Sequence, residues 1–149
     1  MQERKKGEMR FEIPEQKKLV HECVVPIRWG DMDAMGHVNN AVYFRYMEVI
    51  RIDWFEHLGC QPAPHGKSPV IVNAFCTFQT QIEYPGSLLL KLYACKPGRT
   101  SFDTYTTIER TDQPGVIDAF GGATVVWTDV AAQKSTPLPE RVRAVVAEP

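Results

Sequence analysis

Ala41-Val42-Tyr43-Phe44-Arg45-Tyr46-Met47-Glu48-Val49-Ile50-Arg51-Ile52-Asp53-Trp54-Phe55-Glu56-His57-Leu58 is the only long segment of this chain with a helical repeat. Tyr43, Tyr46, Met47, Ile50, Trp54 and Leu58 recur at three- and four-residue steps and so share one helix face, and Gly59 follows where a left-handed residue ends a helix. Asn39 or Asn40 is placed to cap the start, because a short side-chain carbonyl accepts from a helical N–H that has no partner. Val42, Phe44, Val49, Ile52 and Phe55 carry apolar character to the other faces, which predicts a helix wrapped by other elements rather than laid on a surface.

Directly before this helix runs Arg28-Trp29-Gly30-Asp31-Met32-Asp33-Ala34-Met35-Gly36-His37-Val38. Two acids two residues apart sit in a turn that joins a β-rich stretch, residues 19–29, to the helix start. Pro26 marks that stretch as an edge strand or a bulge. Residues 1–17 mix charge with Pro14, show no period, and read as a loose lead-in to a single domain over residues 18–149.

After a loop rich in Pro and Gly, short β-rich runs predict strands over residues 70–77, 79–84, 88–94, 101–109 and 116–129. Pro85-Gly86, Lys96-Pro97-Gly98 and Asp112-Gln113-Pro114-Gly115 supply the turns. In residues 101–109 the alternation of apolar and polar positions is imperfect. Residues 141–146 add one or two helical turns. One strand, one long helix and then about five strands exclude a doubly wound α/β fold, which needs helices on both sheet faces. The economical solution is α+β, an antiparallel sheet curled around the single helix, whose outer face then calls for dimers or larger assemblies.

Composition narrows the function classes. At 149 residues, 44% hydrophobic and 23% charged, the chain has the size of one globular domain, and its formal net charge of -1 gives no global field for nucleic acid or an anionic membrane. Its apolar runs, such as Leu88-Leu89-Leu90, are far below the ~20 residues needed to span a bilayer. The charged N-terminus lacks the pattern of a secretory signal, so a cytoplasmic location is expected. Cys23, Cys60, Cys76 and Cys95 are widely spaced, with no paired motif for zinc, and read as reduced, partly buried thiols.

Over residues 25–51 the chain resembles the hotdog-fold acyl-CoA thioesterases of the 4-hydroxybenzoyl-CoA thioesterase-like branch. The resemblance lies in Trp29, the Asp31-x-Asp33-x-x-Gly36 spacing, His37-Val38-Asn39-Asn40, the spaced Tyr43 and Tyr46, and Glu48 with Arg51. It implies a hotdog fold with active sites at a dimer interface, and hydrolysis of an acyl-CoA thioester to a carboxylate and free thiol. By position, Asp33 matches the catalytic acid, and the backbone N–H of Asn40 matches the donor aimed at the thioester carbonyl. Some members carry His where Asn40 stands, so the resemblance assigns that position's backbone rather than its side chain. Trp29, His37 and Tyr43 would approach the substrate, and Arg99 with Ser101 matches a basic patch used by some relatives for the nucleotide of coenzyme A. Coenzyme A enters as part of the substrate, and no separate cofactor or metal is implied.

The chemistry gives these groups their reason. Thioester hydrolysis passes through an oxyanion, and one fixed donor at that oxygen is typically worth ~10²–10³ in rate. A helix N-terminus supplies unpaired N–H groups and a positive dipole end, and Gly36 lets the turn tighten and the substrate approach. Asp33 would act as general base on water, with partial burial raising its basicity, or as nucleophile through a mixed anhydride.

Plainer roles stand beside these. Asp31 reads as a turn-former, His37 as an organiser of the loop, Tyr43, Tyr46 and Trp54 as core, and Glu48 with Arg51 as an ion pair on the helix surface. A calcium loop is excluded because Met35 and Val42 occupy ligand positions five and twelve. A hydratase or dehydratase, and a non-catalytic module that binds acyl-CoA or acyl carrier protein, remain alternatives. Short, long and aromatic acyl groups fit the pattern equally, as do acyl carrier protein in place of coenzyme A and dimers or tetramers.

Overall fold

The computed structural model of the chain describes residues 11–147. Strand β1 (Lys18–Pro26) leads through a 3-10 turn (Trp29–Asp31) to helix α1 (Asn40–His57). Strands β2 (Lys67–Phe78), β3 (Ser87–Cys95), β4 (Ser101–Arg110), β5 (Ile117–Asp129) and β6 (Lys134–Ser135) follow, and helix α2 (Glu140–Val146) comes last. All pairings are antiparallel, in the order β1-β3-β4-β5-β2, with the short β6 added to β5. Of the expected lead-in, residues 11–17 carry no helix or strand, and residues 1–10 lie outside the described residues. Among the described residues no helix is long and apolar enough to cross a membrane.

The sheet curves around α1, as the α+β expectation requires. Tyr43, Tyr46, Met47, Ile50, Arg51, Trp54 and Phe55 are the buried positions of the helix, at steps of three, four and one. They meet the inward row Leu88, Leu90, Leu92 and Ala94 of β3, none more than 1% exposed. Edge-on aromatic contacts of Trp54 with Phe102 and of Phe55 with Trp127 close the far end of the core. Asn39 is the cap, its side chain accepting the Ala41 N–H at 3.0 Å, and Gly59 at φ +70° is the stop.

The outer face of α1 leaves Phe44 and Val49 exposed, as expected of a helix wrapped by one curved sheet. Three expectations change. Arg51 is buried, not paired on the surface: burial pulls its basicity down while the Glu48 charge pushes it up, and among the described residues no ion pair joins the two. Residues 79–84 are not a strand. Past Phe78 the amides of Gln79 and Thr80 both donate to the Asp118 carbonyl, which ends the ladder and turns the chain across the helix start. The first strand stops at Pro26 instead of running to Trp29, because the Ile27 N–H goes to Gly86 and the next residues form the 3-10 turn.

The imperfect alternation of β4 has a physical cause. Tyr105, Thr107 and Glu109 on its outer face are buried along with its inward row. Phe75 packs edge-on to Tyr105 and stacks in turn on Phe11, while Lys91 pairs with Glu109 at 3.6 Å. A central strand covered on both faces has no reason to alternate.

Candidate active site

The acidic turn is built by its own hydrogen bonds. Asp33 N–H donates to the His37 carbonyl at 2.7 Å, Gly36 N–H donates to the Asp33 carbonyl at 3.1 Å, and a bridge joins Met32 to Val38. Gly36 closes the loop at φ +80°, a left-handed conformation that costs a Cβ-bearing residue strain. Its open surroundings show that backbone angle, not space, fixes this glycine.

Within that loop the Asp33 carboxylate is gripped on one side. Oδ1 accepts from the amides of Met35 at 2.8 Å and His37 at 3.1 Å, and among the described residues Oδ2 has no hydrogen-bond partner. Asp33 is exposed in the single chain and lines an open cleft of about 600 Å³ with Trp29, Gly30, Met32, Ala34, Gly36 and Tyr84. Trp29 and Met35, each 78% exposed, leave an apolar rim bare beside the carboxylate. Asn40 is the first residue of α1, so its amide is a donor without an intrahelical acceptor, while Asn39 N–H is taken by the Asp31 carbonyl at 2.9 Å.

The first acid does different work. Asp31 Oδ2 accepts from the Arg28 amide at 3.0 Å and from the Tyr46 hydroxyl at 2.7 Å, tying the turn to the buried helix face. Burial, then the Asp31 contact, keep the Tyr46 phenol protonated far above the usual range. Tyr46→Phe is expected to lower stability by about 1.5–3 kcal/mol, the scale of a hydrogen bond to a charged group, measured by urea denaturation.

Other candidates fall elsewhere. Tyr43 is 2% exposed, edge-on to Phe78 with ring centroids 4.8 Å apart, and lies in the core rather than on the cleft. The His37 ring sets Nε2 3.3 Å from Glu83 Oε1. Arg99 and Ser101 stand at the β3–β4 hairpin, the opposite end of the sheet from the acidic turn: Pro26 pairs with Ser87, whereas Cys95 pairs with Asp103. The length of β3, roughly 25 Å, separates the two ends within one chain. At that end the Arg99 carbonyl is bonded by Leu138 N–H and by the Arg143 guanidinium.

Tyr84 and Glu83 join the site although their composition predicts a strand. The crossing segment is held by Val38 N–H to the Ile82 carbonyl at 2.8 Å, and by the Arg110 guanidinium to the Glu83 and Pro85 carbonyls, both at 2.7 Å. Asp112 orients that guanidinium at 2.9 Å. The breaker pair Pro85-Gly86 was the available signal that residues 79–84 leave the ladder. Arg110→Met is expected to speed hydrogen exchange at the amides of Ile27 and Val38, both bonded to this segment, with slower change elsewhere.

The cysteines do not supply a nucleophile here. All four are free thiols; burial pushes the Cys76 thiol up to about 12 and raises Cys23 and Cys95, which disfavours the reactive thiolate.

An antiparallel sheet curved over one long helix, with a polar turn at the helix start, is the hotdog architecture. Residues 27–146 match the family model of the thioesterase-like superfamily. The chain belongs to that superfamily. Among solved structures it is similar to the PA2801 protein of Pseudomonas aeruginosa, a provisionally assigned thioesterase: identity is 35% and the TM-score 0.82, over 85% of this chain and 98% of that one. A provisionally assigned acyl-CoA thioesterase from Xanthomonas campestris is 30% identical, with a TM-score of 0.65 over 74% of this chain and 93% of the other. The DHNA-CoA thioesterase from Staphylococcus aureus, at 20% identity and a TM-score of 0.70 over 78% of this chain and 79% of that one, shares the fold. A search of curated proteins returns no match.

Proposed function

We propose that the chain is a cytoplasmic acyl-CoA thioesterase that uses Asp33 as its acidic group and the Asn40 amide as its oxyanion donor. One observation carries the reading: a carboxylate with one oxygen fixed by two amides and the other without a partner among the described residues lines an open cleft in the turn that starts the central helix. Family membership and the two relatives of 30% identity or more support the reaction class.

As general base, Asp33 takes a proton from water as the oxygen adds to the thioester carbon. The carbonyl electron pair moves to its oxygen, which accepts a hydrogen bond from the Asn40 N–H. Collapse of this intermediate expels the thiolate of coenzyme A, which recovers the proton from Asp33. As nucleophile, Asp33 adds to the same carbon and expels the same thiolate, and water opens the resulting anhydride. Both routes need the Asp33 oxygen and the Asn40 amide on one carbonyl.

The acyl-CoA substrate and a second copy of the chain complete the site in this reading. Strand β2 is an edge of 12 residues with Val70, Ile71, Val72 and Phe78 exposed, the form of edge that pairs with another strand. Pairing two β2 edges antiparallel sets residue 67 of one copy beside residue 78 of the other. The Arg99–Ser101 hairpin of one copy then stands at the level of Asp33 in the other, where its charge would meet the phosphates of coenzyme A.

Thiol release from a panel of short, long and aromatic acyl-CoAs tests the activity. Turnover with at least one class is expected. No release from any of them, with binding retained, would favour the acyl-binding module instead.

A further inference from the structure

The far end of α1 brings together three side chains that the thioesterase reading does not use. His21 on β1 sets Nε2 2.6 Å from Asp53 Oδ2, and His57, one turn after Asp53, sets Nδ1 2.7 Å from the Asp53 carbonyl and 4.0 Å from its Oδ1. The two imidazoles lie with centroids 4.9 Å apart and their planes tilted by 54°. One donor atom from each of the three residues falls within 4.8 Å of the others.

We propose that His21, Asp53 and His57 form a binding site for a single Zn²⁺ ion. Two imidazole nitrogens and one carboxylate oxygen are the donor set of a borderline cation, not of Mg²⁺ or Ca²⁺, which take oxygen. Three protein ligands with a water in the fourth position is the open tetrahedral arrangement of Zn²⁺. Zinc–ligand lengths of about 2.0–2.2 Å place tetrahedral donors roughly 3.3 Å apart, so the three groups need shift by little more than an ångström. The ion takes the place of the hydrogen between His21 Nε2 and Asp53 Oδ2, the imidazole keeping its one proton on Nδ1, and exchanges the His57–carbonyl hydrogen bond for a coordinate bond.

The surroundings suit the exchange. The side chains of His21, Asp53 and His57 are 15%, 40% and 66% exposed, so the site has one buried wall and one open face. The ion would fasten β1 to the last turn of α1, at the end of the molecule remote from Asp33. Its effect should therefore appear in stability, and it does not depend on the proposed activity.

The test uses the full chain without an affinity tag, stripped with a chelator and titrated with Zn²⁺ by calorimetry and in thermal melts. Uptake of one Zn²⁺ per chain is expected, with a melting temperature raised by Zn²⁺ and unmoved by Mg²⁺. His57→Gln, at an exposed position that should not disturb folding, is expected to weaken Zn²⁺ at least about tenfold, the loss typical of even an outer-shell partner. His21→Gln is expected to do the same. Absence of saturable uptake in the wild type, or an affinity undiminished in His57→Gln, would overturn the site.

Discussion

Asp33→Asn is expected to lower kcat for acyl-CoA hydrolysis by ~10²–10⁴ while KM stays within about threefold. Asparagine keeps the size of aspartate, and its carbonyl oxygen can accept the same amides from Met35 and His37 that hold Oδ1. The loop therefore keeps its shape. What is lost is the second oxygen, whose place is taken by an amide NH₂ that neither accepts a proton nor attacks a carbonyl. Asp31→Asn is the informative contrast: its carboxylate is spent on the Arg28 amide and the Tyr46 hydroxyl, so its loss should register in stability more than in turnover. Steady-state thiol release by both variants makes the comparison, and an Asp33→Asn enzyme as fast as wild type would remove that residue from the reaction.

The second large effect concerns how closely the sheet grips the helix. Gly121→Val is expected to destabilise the chain by about 3 kcal/mol or more, at the upper end of overpacking costs. A Cβ at Gly121 would collide with the Met47 sulfur on α1 and with the Phe75 carbonyl of the neighbouring strand. The methionine can move; the strand carbonyl cannot do so without disturbing the β2–β5 pairing of Cys76 with Gly121. Gly122 faces the opposite side, where a Cβ would meet the rings of Phe75 and Tyr105. Two consecutive glycines thus let packing press on β5 from both faces. Thermal or urea melts measure the loss, and Gly98→Ala, where a Cβ meets nothing closer than 3.5 Å, should stay within about 0.5 kcal/mol of wild type.

Much of this architecture was legible because it is local. The helical repeat read over residues 41–58 matches Asn40–His57, since one amphipathic segment with an Asn cap and a Gly stop carries its own boundaries. The strand read over residues 101–109 matches Ser101–Arg110, and that over 116–129 matches Ile117–Asp129, each bounded by turn residues. Beyond these, the outcome depended on distant partners. Residues 79–84 have strand composition, but the Asp118 carbonyl and the Arg110 guanidinium take them out of the ladder. Strand β2 begins at Lys67, three residues before the expected start, because a proline at position 69 is tolerated on an edge.

The site divides in the same way. Asp31, Asp33, Gly36 and Asn40 were visible as one run, and the turn that joins them is sequence-local. Tyr84 reaches the cleft only through the crossing segment, and Arg99 with Ser101 lies at the other end of the sheet. In the group of His21, Asp53 and His57 only the one-turn spacing of Asp53 and His57 is local; His21 carries no sequence signal, because 32 residues and the whole turn separate the strand from the helix that meets it. Spacing rules for metal ligands read neighbours in sequence, and here the fold supplies the neighbour.

A structure with a non-hydrolysable acyl-CoA analogue bound tests the central claim most directly. The account predicts the analogue's carbonyl oxygen about 2.9 Å from the Asn40 amide nitrogen, and the free Asp33 oxygen in reach of the carbonyl carbon directly or through one water. An analogue seated in the cleft with its carbonyl turned away from the start of α1, or one bound at the opposite end of the sheet, would contradict it.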